Sequence, residues 1–114
     1  MGKIPSEIKR LQNLKWLYLG NNNLTGTIPT EIGHLHNLKE LWIESNKLNG
    51  SIPSEIGLCE SLEVLRLEQN RLQGSMPLDL FGCQRLRVLR LYNNSLTGTI
   101  PPEIGQLQNL GFRK

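Results

Sequence analysis

The sequence has no long apolar run, little net charge and no recognisable catalytic signature. No apolar stretch approaches the about 20 residues of a membrane-spanning helix, so we predict no direct membrane contact from this segment. The net charge of +3 is mild and dispersed along the 114 residues, which argues against a nucleic acid partner. No Gly-rich phosphate loop, kinase signature or paired nucleophile and base is present, so we predict neither catalysis nor a cofactor.

One ten-residue segment recurs along the chain at a constant interval. LTGTIPTEIG from Leu24 returns as LNGSIPSEIG from Leu48, LQGSMPLDLF from Leu72 and LTGTIPPEIG from Leu96, each 24 residues after the last. This period predicts stacked repeats over 4–27, 28–51, 52–75 and 76–99, with a partial repeat over 100–114. The apolar residues of one repeat cannot offset the entropy of ordering it, so each repeat must be stabilised by its neighbours.

Each repeat combines two local patterns. The segments LKWLYL, LKELWI, LEVLRL and LRVLRL alternate apolar residues with others, which predicts short parallel strands with one buried face. The segment after each proline, such as PSEI or PTEI, resembles the first turn of a short helix. We therefore expect strands on one side of a coil and short helices with irregular turns on the other. A turn with positive φ explains the glycine column Gly26, Gly50, Gly74 and Gly98.

Two further columns of the repeat are predicted to point inward, one polar and one apolar. The first is a structural asparagine ladder, in which each side chain bonds peptide groups of its own rung and the next: Asn22, Asn46, Asn70 and Asn94. The second contains Cys59 and Cys83, for which we favour two buried free thiols over a disulfide. His34 and His36 are expected on the convex surface, without the partners that a metal site needs, so we predict no metal.

The repeats fit LxxLxxLxLxxNxLxGxIPxxIGxLxx and resemble the plant-type leucine-rich repeat. That family includes extracellular domains of receptor-like kinases and receptor-like proteins, and the polygalacturonase inhibitors. The resemblance implies an α/β solenoid with a concave parallel sheet and convex short helical or 3-10 segments. It also implies a recognition module of a receptor-like kinase ectodomain, outside the plasma membrane or in the cell wall space, with any kinase domain outside this chain. The partner would be a peptide or protein, including a co-receptor ectodomain.

Two other functions remain open at this point. One is a secreted enzyme inhibitor of the polygalacturonase-inhibitor type, and the other is a truncated gene product with no independent function.

The chain begins in mid-repeat without a signal peptide, so we expect a single domain over 1–114 that is uncapped at both ends. Arg113 falls in the leucine column of Leu89, which predicts that the pattern breaks there. Sequons predict glycosylation at Asn23, Asn49 and Asn93.

The exposed strand face is the candidate binding surface. Trp, Tyr and Arg dominate binding hot spots, and both tryptophans of the chain lie on this face. Arg66 and Arg90 could clamp a ligand carboxylate, although Glu44 and Glu68 could neutralise them in the free protein. In the alternative interpretation, the aromatic residues only shield the sheet. The predicted ligand-binding residues are Trp16, Tyr18, Trp42, Glu44, Arg66, Glu68, Arg90 and Tyr92.

Overall fold

A five-stranded parallel sheet forms one side of the coil of repeats. The computed structural model describes residues 2–107 and 111–113. The sheet strands are β2 (Trp16–Tyr18), β4 (Glu40–Trp42), β5 (Val64–Arg66), β7 (Val88–Arg90) and β9 (Gly111–Arg113), adjacent in that order. From β2 to β7, paired residues are 24 positions apart, as in Leu17 with Leu41. The repeat period is therefore the sheet register, and equivalent residues form columns across the strands.

Five short 3-10 helices form the opposite side. They are η1 (Ser6–Arg10), η2 (Thr30–His34), η3 (Ser54–Leu58), η4 (Leu78–Gly82) and η5 (Pro102–Gln106). Pro29 precedes η2 with extended angles, φ −68° and ψ 142°, and its carbonyl accepts a hydrogen bond from the Ile32 N–H. The helix thus begins directly after the proline, which confirms the prediction of a helical first turn in the segment that follows each proline. Within the described ranges, no helix has the length and apolarity needed to cross a membrane.

A second set of parallel pairings follows the main strands. β1 (Gly2–Lys3) pairs with β3 (Leu24–Thr25), and β6 (Gln73–Gly74) pairs with β8 (Ser95–Leu96). An isolated bridge between Thr27 and Asn49 continues this ladder. The sequence predicted only irregular turns here. The pairing stops before each proline, which has no N–H to donate.

The core lies between the sheet and the 3-10 helices. It consists of the apolar columns of the repeat, and Ile32, Leu41 and Leu65 are almost completely buried. Leu11 belongs to the same column as buried Leu35, yet it is 52% exposed. Leu35 is covered from both neighbouring rungs, whereas Leu11 belongs to the first rung described. Burial in this fold therefore depends on the next repeat as well as on residue type.

The asparagine ladder is present at Asn46, Asn70 and Asn94, with its direction reversed. The prediction is wrong for Asn22, which is exposed because no preceding rung covers it among the described residues. Asn46 Oδ1 accepts hydrogen bonds from the N–H groups of Asn22 (2.9 Å) and Leu24 (3.0 Å), and Nδ2 donates to the Leu19 carbonyl (2.9 Å). These partners belong to the preceding rung rather than the next one. Asn70 repeats the arrangement, and both amides are buried. The ladder thus satisfies peptide groups at the turn, where the sheet bonds end.

The last strand corrects the expected break in the pattern. Its register pairs Gly111 with Val88, Phe112 with Leu89 and Arg113 with Arg90. Phe112 rather than Arg113 occupies the leucine column, because the spacing from Leu89 is one residue shorter than in the other repeats. Residues 108–110 of the predicted fifth repeat lie outside the described residues. Because side chains alternate along a strand, a register shorter by one residue pairs an apolar residue with Leu89 instead of a charged one.

Cys59 and Cys83 are free and buried, as predicted. Each thiol donates to a carbonyl of the preceding rung, Cys59 to Ile32 and Cys83 to Ile56. Burial raises the pKa of Cys59 to about 12, with a smaller contribution from Cys83, and raises the pKa of Cys83 to about 11. Only a thiolate reacts readily, so both groups are protected at neutral pH.

The thiols lead to a prediction for reactivity and for alkaline stability. At about pH 8 neither thiol should react with a disulfide reagent in the folded chain, and both should react after unfolding in guanidinium. The thiols ionise at lower pH in the unfolded chain than in the folded one. Their contribution to stability is therefore complete below pH 9.0 and is lost as the pH rises toward 11 and 12. Rapid labelling of the folded chain would contradict this burial.

Candidate functional site

An aromatic and guanidinium stack crosses the first three strands of the concave face. Tyr18, Trp42 and Arg66 occupy one column in direct register. The ring centroids of Tyr18 and Trp42 are 4.4 Å apart, and the Arg66 Cζ atom is 4.8 Å from the Trp42 ring centroid. Tyr18 remains 53% exposed. The stack therefore presents an accessible aromatic surface whose geometry is set by the strand register.

Arg66 is neutralised by carboxylates of the neighbouring column. Its Nη2 and Nε atoms donate to Glu68 Oε2 at 2.8 and 3.1 Å, and Nη1 lies 3.7 Å from Glu44 Oε2. Burial alone would lower the pKa of Arg66, but the hydrogen bond and charge of Glu68, with the charge of Glu44, raise it above its ordinary value. Arg66 is therefore a fixed cation that is already paired within the protein.

The burial of Glu68 is the largest difference between this face and the sequence prediction. We expected an exposed side chain free of packing contacts, but the Glu68 side chain is only 1% exposed. Arg66 covers it, the Tyr92 hydroxyl donates to Oε2 at 3.4 Å, and Arg90 Nη1 lies 4.0 Å from the same oxygen. The predicted arginine pair thus converges on an internal carboxylate. The expected neutralisation of Arg66 and Arg90 is confirmed.

A second charged network lies one column closer to the start of each strand. Glu40 Oε1 accepts a hydrogen bond from the Tyr18 hydroxyl at 2.9 Å, which raises the Tyr18 pKa. Arg87 lies 3.4 Å from Glu63 and 4.0 Å from Glu40. Glu40 and Arg87 were not among the predicted site residues. The repeat frame contained a signal for Glu40, because its column precedes the Trp42 column on the same strand face.

A small cavity of about 270 Å³ opens between these two networks. It spans the second, third and fourth strands of the main sheet, and Val64 and Val88 pair directly there. The lining residues are Glu40, Trp42, Val64, Arg66, Arg87, Val88 and Arg90. Pockets for drug-sized ligands are usually about 300–1,000 Å³, so this volume suits one side chain better than a whole small molecule.

Three buried polar atoms on this face have no hydrogen-bond partner among the described residues: Trp42 Nε1, Glu44 Oε1 and Glu68 Oε1. Gly20 accommodates one of these groups, because a Cβ atom there would lie 2.6 Å from the Glu44 carboxyl carbon. Most buried polar atoms in proteins are paired, so these three atoms are exceptions to the usual pattern.

The structure joins seven of the eight predicted binding residues into one contact network, from Tyr18 through Trp42 and Arg66 to Tyr92. Trp16 lies at the sheet edge and is 54% exposed, outside this network.

The predicted glycosylation residues, Asn23, Asn49 and Asn93, are all exposed. His34 and His36 are exposed near the 3-10 helices, as expected for the convex surface. Ligand binding and glycosylation themselves stay predictions.

Family models match most of the chain. Residues 12–58 match a model described as Leucine Rich repeats (2 copies), and 61–83 and 85–107 each match Leucine Rich Repeat. The chain belongs to the leucine-rich repeat family. A search of curated proteins gave no match.

Solved structures place the chain near plant leucine-rich repeat ectodomains. The ectodomain of the Arabidopsis thaliana receptor kinase GASSHO1/SCHENGEN3, solved with CASPARIAN STRIP INTEGRITY FACTOR 2, is 45% identical with a TM-score of 0.93 over 96% of this chain. The Arabidopsis receptor kinase HAESA, solved with the peptide hormone IDA and the co-receptor SERK1, is 38% identical with a TM-score of 0.93, also over 96%. The chain spans only 13% and 18% of those two chains.

The same leucine-rich repeat solenoid occurs in a protein with a different role. A plant ice-binding protein is 36% identical with a TM-score of 0.87, covering 93% of this chain and 34% of that one. Membership of the family therefore does not by itself determine what a member binds.

Proposed function

We propose that this chain is a recognition module that binds a peptide or partner protein on its concave strand face. The observation that carries the proposal is the stack of Tyr18, Trp42 and Arg66, which presents three residue types typical of hot spots in fixed register. Similar ectodomains of receptor kinases were solved with a peptide hormone and a co-receptor. By analogy, the chain acts outside the cell as part of a longer receptor, and any kinase activity belongs to another part of that protein.

The size of the face supports a short extended ligand. Its five strands are in parallel register. At about 4.8 Å between neighbours they span on the order of 20 Å. About six extended residues have that length. The donor and acceptor groups of the two charged networks lie on this face. The backbone of an extended ligand therefore passes both kinds of group.

The test begins with selection of peptides from a random phage-displayed library on the immobilised 114-residue chain. Trp42→Ala should weaken the selected peptides by about 2 kcal/mol, because it removes the centre of the stack. Leu58→Ala is the matched control, since Leu58 is 57% exposed on the convex side. Affinities are measured by fluorescence anisotropy, with circular dichroism as a check that each variant is folded.

Two outcomes would count against the proposed function. The first is a library that yields no peptide whose affinity depends on Trp42. The second is an equal loss in Trp42→Ala and Leu58→Ala, which would assign binding to a general surface property rather than to the stack.

A further inference from the structure

The arginines of the concave face are balanced by the protein's own carboxylates. Three guanidinium groups form ion pairs there with four carboxylates, so the paired set carries no positive excess. The residues of this set are Arg66, Arg87, Arg90, Glu40, Glu44, Glu63 and Glu68. An anionic ligand group therefore meets a face that is already neutralised.

The burial of Glu68 makes an exchange of partners unfavourable. A ligand carboxylate that takes the Arg66 guanidinium must displace Glu68, which is 1% exposed. Glu68 would then be a buried carboxylate without its closest cation, and breaking a buried pair in this way is strongly unfavourable. Arg90 is more accessible, at 42% side-chain exposure, but its guanidinium is directed toward the same Glu68 oxygen.

The cavity between the networks is apolar where the strands form its floor. Val64 and Val88 pair directly there, and Val64 is only 5% exposed. The indole of Trp42 forms part of the wall, and the charged groups of the lining are engaged with one another. A side chain that enters the cavity contacts methyl groups and an aromatic ring, and transfer of apolar surface into such a site is favourable.

From this geometry we infer that the cavity over Val64 and Val88 is a specificity subsite for an uncharged apolar side chain of an extended peptide, not for a carboxylate. The inference rests on the proposed recognition function and specifies the ligand that the face selects. Arg66 is then a positioning residue, held by Glu68 against Trp42. The arginines, already paired within the protein, do not bind an anionic group of the ligand.

The experiment uses the 114-residue chain and peptides selected on it from the random library. Val64→Thr/Val88→Thr keeps the shape of both side chains but places hydroxyl groups in the floor. The selected peptides should share an apolar position, and the double variant should weaken them at least about tenfold. Replacing that apolar peptide residue by alanine should then reduce the affinity for the double variant only slightly, because the contact is already lost. Leu58→Ala should change affinity by less than about threefold, because Leu58 is exposed on the convex side. Arg90→Gln tests instead whether the cavity binds an anionic group.

The outcomes separate this inference from the proposed function. The subsite would be overturned if the selected peptides share Asp or Glu instead of an apolar residue at that position. Their affinity would then fall strongly in Arg90→Gln and not in the valine variant. Peptides that depend on Trp42 but not on either valine would also overturn it while leaving the recognition function standing. If the double variant is unfolded by circular dichroism, Val88→Thr alone supplies the same comparison, since Val88 is only partly buried.

Discussion

Replacing Asn70 by alanine should lower the free energy of unfolding by about 3–5 kcal/mol. The Asn70 Nδ2 group donates to the carbonyls of Ile43, Leu67 and Glu68, and Oδ1 accepts from the Leu48 N–H. Alanine leaves these buried peptide groups without that partner. The loss is a large fraction of the about 5–15 kcal/mol that stabilises a typical domain. Urea unfolding followed by circular dichroism measures it.

Asn22→Ala is the matched control for this prediction. Asn22 has the same repeat position, but it is exposed and its side chain donates only to the Gly20 carbonyl among the described partners. We expect a loss below about 1 kcal/mol, because water can replace that bond. Equal losses at Asn22 and Asn70 would mean that the ladder does not stabilise the turns through buried bonds.

Gly57→Ala should destabilise the chain by about 3 kcal/mol through overpacking between two 3-10 helices. A Cβ atom at Gly57 would lie 2.3 Å from the Asp79 carbonyl oxygen and 2.8 Å from its carbonyl carbon. The obstacle is backbone of the next helix, η4, so it cannot move aside like a flexible side chain. The melting temperature and the urea midpoint of the variant should both fall.

Gly105→Ala provides the comparison at the same repeat position. No atom of the described residues lies within 4 Å of a Cβ built at Gly105. Alanine should be neutral or slightly stabilising there, because it reduces the freedom of the unfolded chain. In η4 the same column holds Phe81, which is buried. Helices η4 and η5 contact each other less than the earlier helices do. A tolerated Gly57→Ala would show that the helices can separate at that point as well.

Most of the fold could be predicted from the sequence because the period fixes the register. Counting in steps of 24 put Tyr18, Trp42 and Arg66 in one column, and the strands pair them in that way. The same count failed at the last strand, where Phe112 rather than Arg113 pairs with Leu89. The register there is one residue shorter than the period, and a single incomplete repeat offers no second copy that would reveal the change.

The site was predictable as a set of columns but not as a set of contacts. The sequence indicated which side chains share the strand face, yet it placed Glu68 in solvent. Its burial depends on the rotamers of Arg66 and Tyr92, which converge on one carboxylate oxygen. The apolar floor of Val64 and Val88 was likewise visible as a column, but the cavity above it requires the positions of the surrounding arginines.

The claim that the concave face is the recognition surface is tested most directly by a nuclear magnetic resonance titration of the chain with a selected peptide. If the peptide binds on the concave face, the largest shifts occur at the Trp42 indole N–H, the Arg66 Nε–H and the methyl groups of Val64 and Val88. The methyl groups of Leu58 and Leu78, both exposed on the 3-10 helices, should hardly shift. Saturable shifts confined to Leu58 and Leu78, with the Trp42 indole unchanged, would contradict the account.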